Sequence, residues 1–454
     1  MTTDAVGGVW QYSLALARGL VERYDSRVML ACFGEPSRED LAEAICGGGV
    51  ELHLLDLRLE WMPGGLADVE AALVELARVE RSWRPDLIHG NQFCCGLLET
   101  GIPKVVVAHS DVLGWIAWHR GRPRGSLPNL AMDETLEAYR NLVIAGLKGA
   151  SAVVCPSHFM ARSLLHIYHF PSRVIYNGLW PDLYISQSES PHQCLAGGGP
   201  VGLCEGQTRS AERASAPLSA VLLHDQGGSD ACAGAHRRAP LPLPSRVHPS
   251  SPRQRRGTRP RPTCQNQIGA VPGARPGDFS KDGTAVVAGR LWDEAKNAGV
   301  AVEAVVGLPV ELRLLGPIVG PSGERARLPG ASNARYLGSL SWRETRAELA
   351  KARFYLATSS YEPFGLAALE AAFSGCTLVA NDAPFHREVW GDAAAYYPLD
   401  DAGGLRHRLE ALLQTPAAAR ELAEAAYARA VERYTAERMV TEYWKLYESL
   451  GADL

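Results

Sequence analysis

The sequence predicts an α/β fold built on parallel sheets, in two stretches separated by an irregular segment. Three observations carry this. Short apolar runs alternate with amphipathic helical stretches at both ends of the chain. The stretch 352–376, ARFYLATSSYEPFGLAALEAAFSGC, reads as a buried strand, a tight turn and an Ala/Leu-rich helix. From about Gln187 to Ser280 no period of 2 or 3.6 is sustained. At 454 residues the chain is long enough for two or three domains.

In 352–376 the strand runs from Phe354 to Ser360, the turn from Tyr361 to Gly365 and the helix from Leu366 to Phe373. A strand end followed by a helix N-terminus is where α/β units bind ligands. Free N–H groups near Gly365 and Leu366 suit a phosphate. Glu362 and Glu370 bracket the helix start, eight positions apart. Carboxylates accept hydrogen bonds from sugar hydroxyls. The pattern suggests a ligand with hydroxyls at both ends and phosphate between, which is the layout of a nucleotide sugar. An ordinary turn with two surface glutamates fits the spacing as well.

Taken in order, the chain opens with Gly7-Gly8 ahead of an amphipathic helix, Val9 to Arg23. Paired glycines let backbone approach a phosphate or sugar, or simply make a turn. Strands are expected at Arg27 to Phe33, Leu52 to Leu57, Asp86 to His89, Lys104 to Ala108, Ala152 to Cys155 and Arg173 to Tyr176. Helices are expected at 37–46, 66–83, 130–148 and 158–168, the last capped by Ser157. Such alternation implies one parallel sheet covered on both faces, with right-handed crossovers. His89, Asn91 and His109 fall at strand ends, where a histidine is often structural. His109-Ser110-Asp111 is no hydrolase triad, because adjacent residues cannot hold that geometry. In Trp115 to Arg124, two tryptophans beside Arg120, Arg122 and Arg124 suit a sugar ring or an anionic acceptor, or form a solvated loop. Asn177-Gly178 is a turn signal.

The middle segment, Gln187 to Ser280, has no Lys, Tyr, Trp or Met but eleven Arg, twelve Pro and four of the ten Cys. It carries a charge of +5, so the rest of the chain carries −9. It has too little apolar surface to offset its ordering entropy. It reads as a basic binding tail, a disordered linker, or a GC-rich coding stretch read in a shifted frame; the third is preferred.

Beyond it, Thr284 to Gly289 reads as a strand, with Arg290 and Lys296 six positions apart after its end. Two cations there clamp a diphosphate, or lie exposed in a polar loop. Strands follow at Glu311 to Leu315, Arg335 to Leu337 and Thr377 to Ala380, and helices over 403–433. The last helix, Ala436 to Leu450, presents Met439, Tyr443, Leu446 and Tyr447 on one face.

The net charge of −4 implies no nucleic-acid partner. The cysteines show no CxxC pair, and Cys94-Cys95 reads as buried thiols. With no signal peptide and no apolar run of membrane-spanning length, the expected place is the cytoplasm, with peripheral contact at the inner membrane face admitted.

SSYEPFGLAALEA resembles the E-x7-E signature of retaining glycosyltransferases of the GT-B fold, family 4 (glycosyl transferases group 1) type. Thr284 to Asn297 resembles that family's diphosphate clamp. The resemblance covers about 1–185 and 284–450. It implies two Rossmann-like domains facing a cleft: an acceptor-side domain over 1–185 and a nucleotide-sugar donor domain over 283–434. The helix 435–450 would cross back onto the first domain, and 186–282 would be an irregular insertion where the family has a short linker. His109 and Glu362 would act in catalysis. Gly7, Gly8, Arg290, Lys296, Phe364, Gly365, Leu366 and Glu370 would bind the donor, Glu362 facing the sugar and Glu370 the ribose. Asn91, Trp115, Arg120 and Leu337, the last near the base, are further candidates. The resemblance implies transfer of a sugar, with retention, from a nucleotide-diphosphate donor to an acceptor hydroxyl, without metal or other cofactor; no Asp-x-Asp motif is present. The acceptor (a sugar, a lipid-linked group or a small molecule) stays open. The family pattern also has several apolar residues before the Gly-Gly loop where this chain has about three, so the first strand is expected to be truncated and the true start to lie earlier. Two rival readings are a catalytically impaired scaffold and a sugar phosphorylase on the same fold, which would need a cofactor lysine not identifiable here.

Overall fold

The computed structural model describes residues 1–5, 7–37, 49–121, 132–184, 281 and 283–452. Apart from Ser37, the expected helix 37–46 lies outside the described residues, as do Arg122, Arg124 and, Lys281 excepted, the insertion 186–282.

The N-terminal half runs β1 (Thr2–Asp4), α1 (Gly8–Tyr24), β2 (Val28–Phe33), β3 (Val50–Leu55), α2 (Gly65–Trp83), β4 (Ile88–Gly90), β5 (Lys104–Val107), α3 (Glu134–Gly149), β6 (Ala152–Cys155), α4 (His158–Tyr168) and β7 (Arg173–Val174). Local chemistry explains the helix starts. The Asp133 carboxylate accepts from the Leu136 N–H at 2.8 Å, and the Ser157 hydroxyl accepts from Met160 at 3.1 Å. The strands are short and apolar because helices cover both of their faces.

One continuous sheet was the expectation; the described residues form two, β1-β2-β3 and β4-β5-β6-β7, both parallel. The break falls between β1 and β4, each only three residues long. Asn91 takes the place of a ladder there. Its backbone N–H donates to Thr2 Oγ1 at 2.9 Å and its amide to the Thr2 carbonyl at 2.7 Å.

The C-terminal half runs β8 (Thr284–Ala288), α5 (Ala298–Val305), β9 (Glu311–Leu315), β10 (Ala334–Gly338), α6 (Trp342–Lys351), β11 (Phe354–Ala357), α7 (Leu366–Phe373), β12 (Thr377–Asn381), α8 (Pro384–Trp390), β13 (Ala395–Tyr397), α9 (Ala402–Gln414), α10 (Pro416–Arg433) and α11 (Ala436–Ser449). Its sheet is parallel, in the order β10-β9-β8-β11-β12-β13. The chain winds outward one way from β8 and the other way from β11. The crevice beyond the carboxyl ends of those two neighbours is where an open α/β sheet receives a ligand. Lys281, assigned above to the insertion, belongs with this half: its ammonium donates to the carbonyls of Ser374 at 2.5 Å and Leu349 at 3.3 Å.

Contacts at both sides tie the halves together. Helix α11 packs on α1, with Tyr443 edge-on to Tyr12 at 6.1 Å. Buried His89 links both helices, with Nδ1 2.7 Å from the Tyr447 hydroxyl and Nε2 3.2 Å from that of Tyr12. On the far side, Glu388 of α8 accepts from the backbone N–H groups of His158 at 2.6 Å and Phe159 at 2.7 Å. It also accepts from Tyr176 and Arg162, at 3.2 and 3.3 Å. A carboxylate thereby satisfies two free donors at the start of α4 and meets the positive end of its dipole. Glu388→Ala is expected to cost about 1.5–3 kcal/mol, read as a lower urea midpoint with unchanged slope, and Glu388→Gln to recover part of it. An unshifted midpoint for Glu388→Ala would show that the clamp is energetically idle.

Candidate functional site

The strand ends of the two halves face each other across a cleft of about 720 Å³. Gly7 and Gly8 form one lip. Gly7 has a φ of +92°, which favours glycine, and a Cβ on Gly8 would lie 3.0 Å from Leu366 Cδ1 across the gap. The opposite lip is Gly365, φ +90°, which starts α7 and leaves the first N–H groups of that helix at the cleft. The expected strand–turn–helix unit is present, and the Phe364 side chain turns inward to Tyr434 and Tyr176 while its backbone stays at the cleft.

On the C-terminal wall, Arg290, Lys296, Glu362 and Glu370 all line the cleft. Separate roles were expected for Lys296 and Glu362, yet their head groups meet at 2.5 Å. Ser359 adds a hydrogen bond to the same Glu362 oxygen at 3.3 Å. Arg290 pairs with Asp293 at 3.2 Å and lies over the rings of Trp61 and Trp292. Glu370 is buried. Its Oε1 accepts from the Trp342 indole at 2.9 Å and the Tyr184 hydroxyl at 3.1 Å, and both of these bonds fall on the one oxygen. Burial raises its pKa, and the two donors oppose that rise.

On the N-terminal wall, His109 follows β5 and packs edge-on against Tyr12 at 4.5 Å. Its Nε2 lies 2.9 Å from Asn91 Oδ1. The Asn91 amide nitrogen is already donating to Thr2 and, at 3.1 Å, to Ser13, so its oxygen is the acceptor. His109 must therefore carry its proton on Nε2, which leaves Nδ1 as a lone-pair acceptor. Burial pulls its pKa down from 6.5 to about 3, so the ring is neutral at physiological pH. Asn91 is a positioning residue and does not line the cleft. Asp111 serves structure, capping the turn at Gly114 and accepting from Tyr168.

Several expectations change. Leu337 does not line the cleft; it is the extra residue of a bulge between Tyr336 and Gly338 on edge strand β10 and is 37 % exposed. Ser339 and Leu340, just beyond, line the cleft instead. Residues 115–120 are helical, not a solvated loop, since Ile116 and Ala117 are buried. Trp115 lines the cleft and donates to Asp293 at 3.0 Å. Arg120 stacks over Trp115 and pairs with Glu294 at 3.1 Å, outside the cleft lining. Two residues went unnoticed. Asp293 holds Arg290, Trp115 and the Ala295 N–H at once; its only sequence signal is an aspartate ahead of a short helical turn. Asn177 was read as a turn residue; it is buried at the cleft, and its Oδ1 has no partner among the described residues. No helix among the described residues is long and apolar enough to cross a membrane.

Residues 6–183 match the family described as Glycosyltransferase Family 4, and residues 282–415 match Glycosyl transferases group 1. Glycogen synthase of Mycobacterium tuberculosis is 33% identical over 115 residues, 25% of this chain and 28% of that protein. The match thus spans little more than a quarter of this relative's length. Among solved structures, sucrose-phosphate synthase from Thermosynechococcus elongatus superposes with a TM-score of 0.63 at 14% identity, covering 100% of this chain and 99% of that one. The Anabaena protein HepE, solved in complex with UDP-glucose, gives 0.59 at 14% identity over 99% of each chain. At such identities the likeness is one of fold, the GT-B fold.

Two measurements test the N-terminal wall. The ¹⁵N spectrum of His109 should show the Nε2–H tautomer with no protonation until pH falls toward 3, and Asn91→Ala should mix the tautomers. An Nδ1–H ring in the unmodified protein would refute the assignment. His386, buried beside Asn381, is likewise held down to about 4. Both pKa values lie below the unfolded value of 6.5. The unfolded chain therefore binds more protons, and stability is fully present above pH 6.5 and lost as pH falls through about 4 and 3. Thermal melts should show that decline, shallower in His109→Gln if that variant folds.

Proposed function

Since this chain belongs to the GT-B glycosyltransferases of the family 4/group 1 type, we propose that it transfers a sugar from a nucleotide-diphosphate donor to an acceptor hydroxyl with retention of anomeric configuration. The observation that carries this is the clustering of Arg290, Lys296 and the α7 N-terminus between the carboxylates of Glu362 and Glu370 at the β8/β11 switch point. Cations and free N–H groups hold the diphosphate, and carboxylates hold hydroxyls on either side. Glu370 presents Oε2 to the ribose, Glu362 faces the sugar, and neutral His109 accepts from a sugar hydroxyl through Nδ1. HepE, solved with UDP-glucose, supports a donor of this kind.

As the sugar–phosphate bond breaks, negative charge grows on the leaving diphosphate. Arg290, Lys296 and the N–H groups of α7 line the cleft to meet it, Lys296 once it gives up its pairing with Glu362. The charge-neutralising role often given to a metal falls here to these groups, and activity should persist in EDTA. Retention is supported by where the carboxylates lie. Among the described residues lining the cleft, Asp293, Glu362 and Glu370 all belong to the C-terminal wall. With no carboxylate among the described residues of the opposite wall as base or nucleophile, the acceptor attacks on the face the diphosphate leaves, and a departing phosphate oxygen takes its proton.

The full chain incubated with UDP-glucose and other nucleotide sugars gives the direct test. Nucleotide release that requires an acceptor supports a transferase; release of sugar phosphate that requires inorganic phosphate indicates a phosphorylase; no turnover across the panel indicates a binding scaffold. The ion pair shapes a second test. Lys296→Met should weaken UDP binding about 10- to 100-fold, because it removes a charge-assisted contact and leaves Glu362 unpaired beside the phosphates. Lys296→Met/Glu362→Gln should recover part of the loss in calorimetry, while unchanged UDP affinity in both variants would remove Lys296 from the clamp. Glu370→Gln should weaken binding of UDP more than that of pyrophosphate.

A further inference from the structure

The two walls of the cleft differ in charge. Among the described residues, every Asp, Glu, Lys and Arg lining it lies between Arg290 and Glu370, on the C-terminal side. The N-terminal wall presents Trp10, Gln11, Met62, His109, Ser110 and Trp115, with no formal charge among the described residues. Two described cations nearby are engaged elsewhere: Arg58, on the loop carrying Met62, is held by both Asp68 oxygens at 2.7 and 2.8 Å, and Arg120 by Glu294. What this wall does offer is ring faces and neutral hydrogen-bonding groups. The indole N–H of Trp10 is not among them, since that atom is enclosed and only part of the residue borders the cleft.

The wall is also rigid. Buried Glu60 accepts from the backbone N–H groups of Phe93 at 2.7 Å and Cys94 at 2.9 Å, anchoring the loop that carries Trp61 and Met62. Trp115 is held by Asp293 from across the gap. Desolvating a phosphate against such a surface would cost free energy with no cation to offset it. A sugar ring suits it: aliphatic C–H faces lie on indole rings, and hydroxyls meet neutral donors and acceptors.

Resting on the donor reading above, we propose that the acceptor is a neutral carbohydrate, held by Trp10, Gln11, Met62 and Trp115, and not a sugar phosphate or a lipid phosphate. The transfer then forms one glycosidic bond from an uncharged acceptor hydroxyl, breaks the sugar–phosphate bond, and leaves the acceptor's proton on the nucleotide diphosphate.

The full chain saturated with UDP is titrated with neutral gluco-, galacto- and manno-configured mono- and disaccharides and with their 6-phosphates, reading tryptophan fluorescence. At least one neutral sugar should saturate the signal, with its phosphate bound tenfold or more weakly. Gln11→Ala should weaken the neutral sugar about 3- to 10-fold with UDP affinity unchanged. Met62→Lys should raise phosphosugar affinity about tenfold, by supplying the missing cation. Tighter binding of a phosphosugar by the unmodified chain, or UDP binding with no neutral sugar bound, overturns the proposal while leaving the donor reading intact. Failure of UDP itself to bind overturns the donor reading, and the acceptor proposal that rests on it.

Discussion

The cleft keeps its shape because the last helix is packed on the first. Gly19 of α1 lies so close to α11 that a Cβ there would clash with Val440 Cγ2. Around that contact Met439, Val440, Tyr443 and Tyr447 are buried in the same core as Tyr12, Leu16 and Leu20. Burying each such side chain contributes roughly 1.5–3 kcal/mol. Helix α1 is about 25 Å long at 1.5 Å per residue, and its other end is the Gly7–Gly8 lip. A helix anchored by side-chain packing at one end thus sets how near Gly8 comes to Leu366 at the other. The same helix carries Tyr12, which flanks both His89 and His109. The glycine lip, the two histidines and the last helix form one packed unit.

Topology then decides where chemistry can sit. Each half has a pair of neighbouring strands from which the chain winds in opposite directions, β1 and β4 in one and β8 and β11 in the other. Loops leaving such strands diverge, and the crevice between them exposes helix N-termini and strand-end side chains. In the C-terminal half this crevice is fully laddered and gathers charge. In the N-terminal half the break between β1 and β4 is bridged by Asn91, whose remaining hydrogen-bonding atom goes to His109. A short first strand and the protonation site of the histidine are therefore linked through three residues.

Sequence reasoning reached the parts of this that rest on local chemistry. The turn Glu362-Pro363-Phe364-Gly365 before an Ala/Leu helix was legible because turn chemistry and helix propensity agree there. Helix α4 was legible to the residue because Ser157 caps it and its apolar positions keep helical spacing. Other features depend on what meets what in space. Nothing in the local sequence marks the bulge, for example: Arg335, Tyr336 and Leu337 read as an unbroken strand, and only the pairing with β9 shows Leu337 displaced. Asp293 and Glu388 look like surface carboxylates until Trp115 and the start of α4 arrive from a segment more than 170 residues away. The partition of charge between the walls was equally out of reach, since it compares residues from opposite ends of the chain.

The Lys296–Glu362 pair gives the cleft a state to leave. With both side chains mostly enclosed at the cleft surface, the ammonium and carboxylate neutralise each other. On the proposed function, a diphosphate brings the ammonium a stronger partner, and a sugar hydroxyl brings the carboxylate a donor. Ligand binding thus exchanges one ion pair for two new contacts instead of adding contacts to unpaired charges. The net gain is smaller than either new contact alone suggests, and it depends on both ends of the donor being present. A nucleotide without its sugar would relieve Lys296 but leave Glu362 facing phosphate oxygens. An intact donor satisfies both groups together. On the proposed function, the pairing favours the complete donor over the spent nucleotide.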